Sequence, residues 1–148
     1  MPRGELSVTS ADNRGVRRVS VPDDREIEVA NLSKATVVAK WPVTVALKSD
    51  PMALDDAHHR LFIGCRAPAR MLALDITGKV AASVEIVGDT DDLSYDAARS
   101  AVYVVGGAGF IDVFEPKDAD RYARNRQSLV PPITVQIQFQ INHSISFI

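Results

Sequence analysis

Residues 51–63 recur as residues 92–104, 41 positions further along the chain. Each copy is a short apolar segment, an aspartate (Asp55, then Asp96), a polar turn and a second apolar segment. A period of about 40 with several short strands per unit narrowly limits what the chain can become. One such unit cannot cover both of its own faces, so consecutive units must stack and share a core. The repeat dictates construction and says little about chemistry.

Short runs with alternating polarity and many β-branched residues fill the rest of the repeat, which favours strands over helices. In the first unit they are residues 18–21, 26–30 and 36–41, separated by turn signals at 22–24 and 31–34. In the second they are 52–54, 61–64, 71–74 and 80–86. Thr77-Gly78-Lys79 forms a tight hairpin turn in which Gly78 is free to take positive φ. In the third they are 93–95, 102–105 and 110–114, with Gly106-Gly107-Ala108-Gly109 as the middle hairpin. Residues 122–127 lack alternation and make a poor fourth strand. Residues 27–32 and 36–39 match 71–76 and 79–82, so three units are in register. The expected organisation is a poorly ordered segment 1–16, repeat units 17–50, 51–91 and 92–128, and a tail 129–148. Within the tail, Ile133, Val135, Ile137, Phe139 and Ile141 alternate with polar residues as an amphipathic strand 133–141. The expected core contains Leu54, Leu61, Ile63, Leu72, Leu74, Val102, Val104, Val113 and Trp41, with Trp41 packing between neighbouring units.

Composition closes off several function classes. The net charge of −2, from 17 basic and 19 acidic side chains, offers no electrostatic reason to bind nucleic acid or an anionic membrane. Two basic clusters, Arg14, Arg17 and Arg18, then Arg121, Arg124 and Arg126, read as solvated surface. The single cysteine, Cys65, excludes an intrachain disulfide and a thiolate metal cluster. There is no apolar run long enough to span a bilayer and no signal-peptide core, so the expected compartment of the chain as written is the cytoplasm.

Arg60-Leu61-Phe62-Ile63, Leu72-Ala73-Leu74-Asp75, Thr77-Gly78-Lys79-Val80, Val102-Tyr103-Val104 and Ile111-Asp112-Val113-Phe114-Glu115 resemble the YVTN-type bacterial β-propeller repeat. That family is related to WD-repeat and quinoprotein amine dehydrogenase β-chain-like propellers. The resemblance covers about two thirds of the chain. It implies an all-β fold of four-stranded antiparallel blades, here about three of them, hence an incomplete propeller. Such rings close with about seven blades, and closure removes the open edges. Three units leave blade faces and edges uncovered, so a truncated or frameshifted product is one expectation, and a protein partner or self-association is the other.

Candidate chemistry is sparse. Asp89, Asp91, Asp92 and Asp96 are the candidate ligands for a hard cation such as Ca²⁺. Against this, Asp96 recurs as Asp55, and a residue recurring at one turn reads as structural. His58 and His59 read as exposed turn residues. The glycines at 106–109 precede a strand, whereas a dinucleotide loop must open a helix. No catalytic residue or bound cofactor is expected. The function expected is a non-catalytic binding or scaffold module. The alternatives are a remnant of a propeller enzyme, lactonase-like or a dehydrogenase accessory subunit, and a product without function.

Overall fold

The structure is a computed structural model that describes residues 7–9, 12–45, 47–118 and 120–128. Among the described residues, twelve strands make three four-stranded antiparallel sheets. The first holds β1 (Ser7–Val8), β2 (Val16–Val21), β3 (Glu26–Asn31) and β4 (Thr36–Pro42). The second holds β5 (Leu47–Asp55), β6 (Arg60–Ala67), β7 (Ala69–Leu74) and β8 (Val80–Glu85). The third holds β9 (Thr90–Asp96), β10 (Ala101–Gly106), β11 (Phe110–Asp118) and β12 (Arg121–Ser128). Every sheet is a meander in chain order, as tight turns between alternating segments require. Contacts between sheets concentrate at their first strands, β1 with β5 and β5 with β9. The sheets thus lean together at one edge and fan apart towards β4, β8 and β12, as propeller blades do.

The sequence repeat is also a repeat of register. Leu54 pairs with Leu61 and Asp55 with Arg60, while Tyr95 pairs with Val102 and Asp96 with Ala101. The second blade opens earlier than expected, because β5 begins at Leu47. Its register shifts between Ser49 and Met52, which accommodates Pro51 in an inner strand.

The middle sheet is buried on both faces, which explains its near-continuous apolar strands. Leu61, Ile63, Cys65, Leu72 and Leu74 pack against Ile27, Val29, Trp41 and Val43 of the first blade. Phe62, Met71 and Ala73 point the other way, onto Leu93, Val102, Val104 and Phe114 of the third. The two-residue period of a strand therefore feeds two cores from one sheet.

Four expectations need correction. The stretch 1–16 contributes β1, and Asp12 within it is buried. Residues 121–128 do form a fourth strand. On it, Arg124, exposed, donates to the Glu85 carbonyl, and Arg126 reaches in to grip Asp112, so arginines stand where aliphatic alternation was sought. Val113 pairs with Tyr103 on the outer face of the third sheet, while Asp112 and Phe114 take the inner face. Asp112 is fully buried at the register position Leu72 holds in the second blade. It accepts the Val87 N–H at 2.8 Å and both Arg126 Nε and a terminal guanidinium nitrogen, at 2.7 and 2.9 Å. Lastly, Arg18 is no solvated residue: its side chain is 6% exposed, bonded to Asp12 at 2.8 Å and seated over the Trp41 ring. The expected strand 133–141 lies outside the described residues.

Candidate functional site

The turn between the first two strands of each blade is built the same way. Gly15, His59 and Ser100, each the last turn residue, have φ of 72°, 55° and 51°. An aspartate closes each turn. One Asp12 oxygen accepts the Arg14 and Val16 N–H groups, one Asp55 oxygen the His58 N–H, and one Asp96 oxygen the Ala98 and Arg99 N–H groups. The other oxygen takes a basic side chain: Arg14 and Arg18 for Asp12, His58 Nδ1 at 2.8 Å for Asp55, and Arg99 at 2.7 Å for Asp96. His58 in the second blade thus does what Arg99 does in the third. The Asp55–His58 pair, which taken alone would resemble half of a catalytic relay, is a turn closure.

The turns of the second and third blades and the end of β11 edge a cleft of about 380 Å³ between those two blades. Phe62 from β6, Tyr95 from β9 and Tyr122 from β12 bring three aromatic rings to it. Tyr95 and Tyr122 lie 5.6 and 5.7 Å from Phe62 by ring centroids, tilted and edge-on respectively. Val102 and Pro116 complete its apolar lining. Burial, and then the hydrogen bond the Tyr95 hydroxyl gives Asp55, push that phenol up to about 12, while the bond with Ser100 works the other way. Burial likewise raises Tyr122. Both rings stay neutral donors at physiological pH.

The charged groups of the cleft are mostly engaged. Asp55 is held by His58 and Tyr95, and Asp118 accepts the Asp120 N–H at 3.0 Å and bonds Arg121. Arg60 reaches Asp120 at 3.3 Å and the His58 and His59 carbonyls at 3.4 and 3.2 Å. Its Nε, by contrast, is buried with no hydrogen-bond partner among the described residues.

The four aspartates proposed for Ca²⁺ do not converge. Asp89, itself exposed, sits at φ 54° on the otherwise largely buried connector after β8. Asp91, the extra residue of a β-bulge in β9, lies 3.9 Å from Arg66, while its neighbour Asp92 is bonded to the Leu93 N–H and raised by burial. Asp96 closes the turn at the far end of the strand, where the Arg99 bonds outweigh its burial and lower it. Among the described residues no three His, Cys, Asp or Glu side chains gather as a metal site. The glycines at 106–109 form the β10–β11 hairpin, which donates from Gly107 and Ala108 to the connector carbonyls of Asp89 and Gly88.

Sequence reasoning missed the cleft. Tyr95 stands where the preceding copy has Leu54, and this single aromatic departure was the available signal. Tyr122 lay in a stretch read as a poor strand, and Arg60 in a motif read as fold-forming.

Comparison with solved structures places the fold. The chain superposes on Kuenenia stuttgartiensis hydrazine synthase with a TM-score of 0.70 and 11% identity, over 80% of this chain and 34% of that one. It matches the β-propeller domain of Swd1 from Myceliophteria thermophila with a TM-score of 0.69 and 10% identity, over 95% and 45%. It matches Saccharomyces cerevisiae Sqt1 at 0.69 and 13%, over 86% and 35%. At these identities the likeness is one of fold: the three sheets are blades of a β-propeller. The chain spans between a third and a half of the length of these structures. No family model matches the sequence, and no curated protein matches it significantly. Among the described residues no helix is long and apolar enough to cross a membrane.

Proposed function

We propose that the chain is a non-catalytic propeller module that binds its ligand in the cleft between the second and third blades. The observation that carries this reading is the convergence of Phe62, Tyr95 and Tyr122, from three strands of two blades, on a space of about 380 Å³. That volume lies in the range of small-ligand sites, and an apolar wall with a few polar groups is their usual make-up. The binding reading is favoured over a hydrolytic one because the acid and imidazole at the cleft mouth are committed to a turn closure that recurs in the third blade. A protein partner or a second copy of the chain belongs to the same reading, since Val37 and Val38 on β4 and Val80 on β8 are exposed.

The test is a screen of small aromatic compounds against the labelled chain, followed by amide chemical shifts. Hits should perturb residues lining the cleft and weaken at least about fivefold in Tyr122→Ala, while Val113→Ala on the opposite face changes nothing. Hits that map elsewhere, or that ignore Tyr122→Ala, overturn the reading.

A further inference from the structure

We propose that residues 133–141 form a strand laid across the outward face of the third blade, so that the chain itself covers the sheet face on which a further blade would stack. That face lies opposite the cleft, so this covering role is separate from binding there.

The face is buried, yet no described strand stacks on it. Val102, Val104 and Phe114 turn towards the second blade, so Val105 and Ile111, paired across β10 and β11, point away from it. With Tyr103 these two form a cluster to which no other blade contributes. Val105 is nevertheless only 7% exposed and Ile111 3%. Neighbouring strands shield an aliphatic side chain from the sides, and exposure this low requires a cover from above. Asp92, paired with Val105 on the same face, is likewise pushed up by burial. The cover is narrow, because Asn125 and Gln127, on the same face of β12, stay exposed. A whole sheet seated there would bury them as well.

The position and pattern of residues 133–141 fit that cover. Gln127 pairs with Ile111 and β12 ends at Ser128, so the chain leaves the sheet beside the cluster. Four residues later comes a run in which Ile133, Val135, Ile137, Phe139 and Ile141 alternate with Thr134, Gln136, Gln138 and Gln140. One dry side and one wet side is the pattern of a strand with an apolar face beneath it and water above. Nine residues extend about 30 Å, and four paired strands measure only about 15 Å from first to last. Pairing at the free edge of β12 would not produce the burial, since an added strand there would stand about 10 Å from β11 and 15 Å from β10. The other end of the chain, Met1-Pro2-Arg3-Gly4-Glu5-Leu6, has no apolar stripe and joins the first blade, two sheets away.

The experiment is methyl NOE spectroscopy on the full 148-residue chain, repeated with an isotope filter on mixed labelled and unlabelled chain. NOEs should join the methyls of Val105 and Ile111 to those of residues 133–141, and they should vanish under the filter, because the contact lies within one chain. Ile137→Lys, on the dry side, should shift the outward-face methyls and speed exchange of the Tyr103 and Val105 amides at least about fivefold. Gln136→Lys, on the wet side, should change neither. Should Ile137→Lys fail to fold, the NOEs of the parent chain still decide. NOEs that survive only under the filter overturn the proposal in favour of a second copy. NOEs from residues 133–141 confined to β12 overturn it in favour of an added edge strand. No NOE between residues 133–141 and the third blade, or equal effects of the two lysine variants, also overturns it.

Discussion

Gly78 and Gly109 both have positive φ, 86° and 97°, yet they differ in what surrounds them. A Cβ on Gly109 would meet nothing within 4 Å, whereas one on Gly78 would fall 2.3 Å from the Trp41 ring. The second blade's hairpin thus lies against the tryptophan of the first. Gly109→Ala should cost about 1 kcal/mol, the penalty of a left-handed residue alone. Gly78→Ala should cost about 3 kcal/mol, because overpacking adds to it. Chemical denaturation of the two variants checks this, and equal losses would remove the Trp41 contact from the account. Asp12 supplies a pH-dependent counterpart. Burial alone would raise its carboxyl, but the Val16 N–H, the Arg18 guanidinium and the Arg14 N–H outweigh burial and hold it at about 2, below the ordinary 3.8. A depressed carboxyl is protonated more readily in the unfolded chain. Its stabilisation is therefore present above about pH 4 and lost as pH falls towards 2. Asp12→Asn should flatten the acid limb of a stability–pH curve over that window. A limb as steep as in the parent chain would show that Asp12 does not govern it.

At the level of the strand, β7 shows how a sheet serves two cores. Met71 and Leu72 are adjacent, 1% and 0% exposed, and belong to different clusters. Truncating either to alanine should cost about 2–4 kcal/mol. Because the two side chains point to opposite faces and share no cluster, the double variant should equal the sum within about 0.5 kcal/mol. A large coupling would mean that the two interfaces deform together. The connector after β8 is tied in by polar groups: Asp112 accepts the Val87 N–H, and the Arg66 guanidinium donates to the Thr90 carbonyl at 2.9 and 3.1 Å. Apolar packing positions the blades, and these bonds lock the passage from one to the next.

For the whole molecule, the two outward faces differ. The first sheet carries a charged ladder in which Lys40 lies 2.9 Å from Glu26 and 3.0 Å from Glu28. On the third, Phe110 is exposed, and so are Val37 and Val38 on β4 and Val80 on β8. Light scattering of the purified chain should therefore report a discrete assembly heavier than 16.1 kDa. A monodisperse monomer would mean that neither the face nor the edges associate. Millimolar Ca²⁺ should leave the melting midpoint within about 1 °C, because Asp89, Asp91, Asp92 and Asp96 are scattered along β9 and its connector and Asp96 is held by Arg99. A rise of several degrees would restore the metal reading.

The repeat of 51–63 at 92–104, with its turn aspartates and two-residue period, determined the blades: strand order, register and the small residue set of each turn follow from local preferences that neighbouring residues satisfy together. Most of the core was legible for the same reason. Tertiary structure decided which face each strand residue took. Alternation states that Asp112 and Val113 oppose one another, and only the stacking of the third sheet on the second turned Asp112 inward, where Arg126 and the Val87 N–H compensate its burial. It also decided the cleft. Phe62, Tyr95 and Tyr122 are far apart in the chain, and their meeting depends on the angle at which two sheets fan apart, a property of packing that no run of residues encodes on its own.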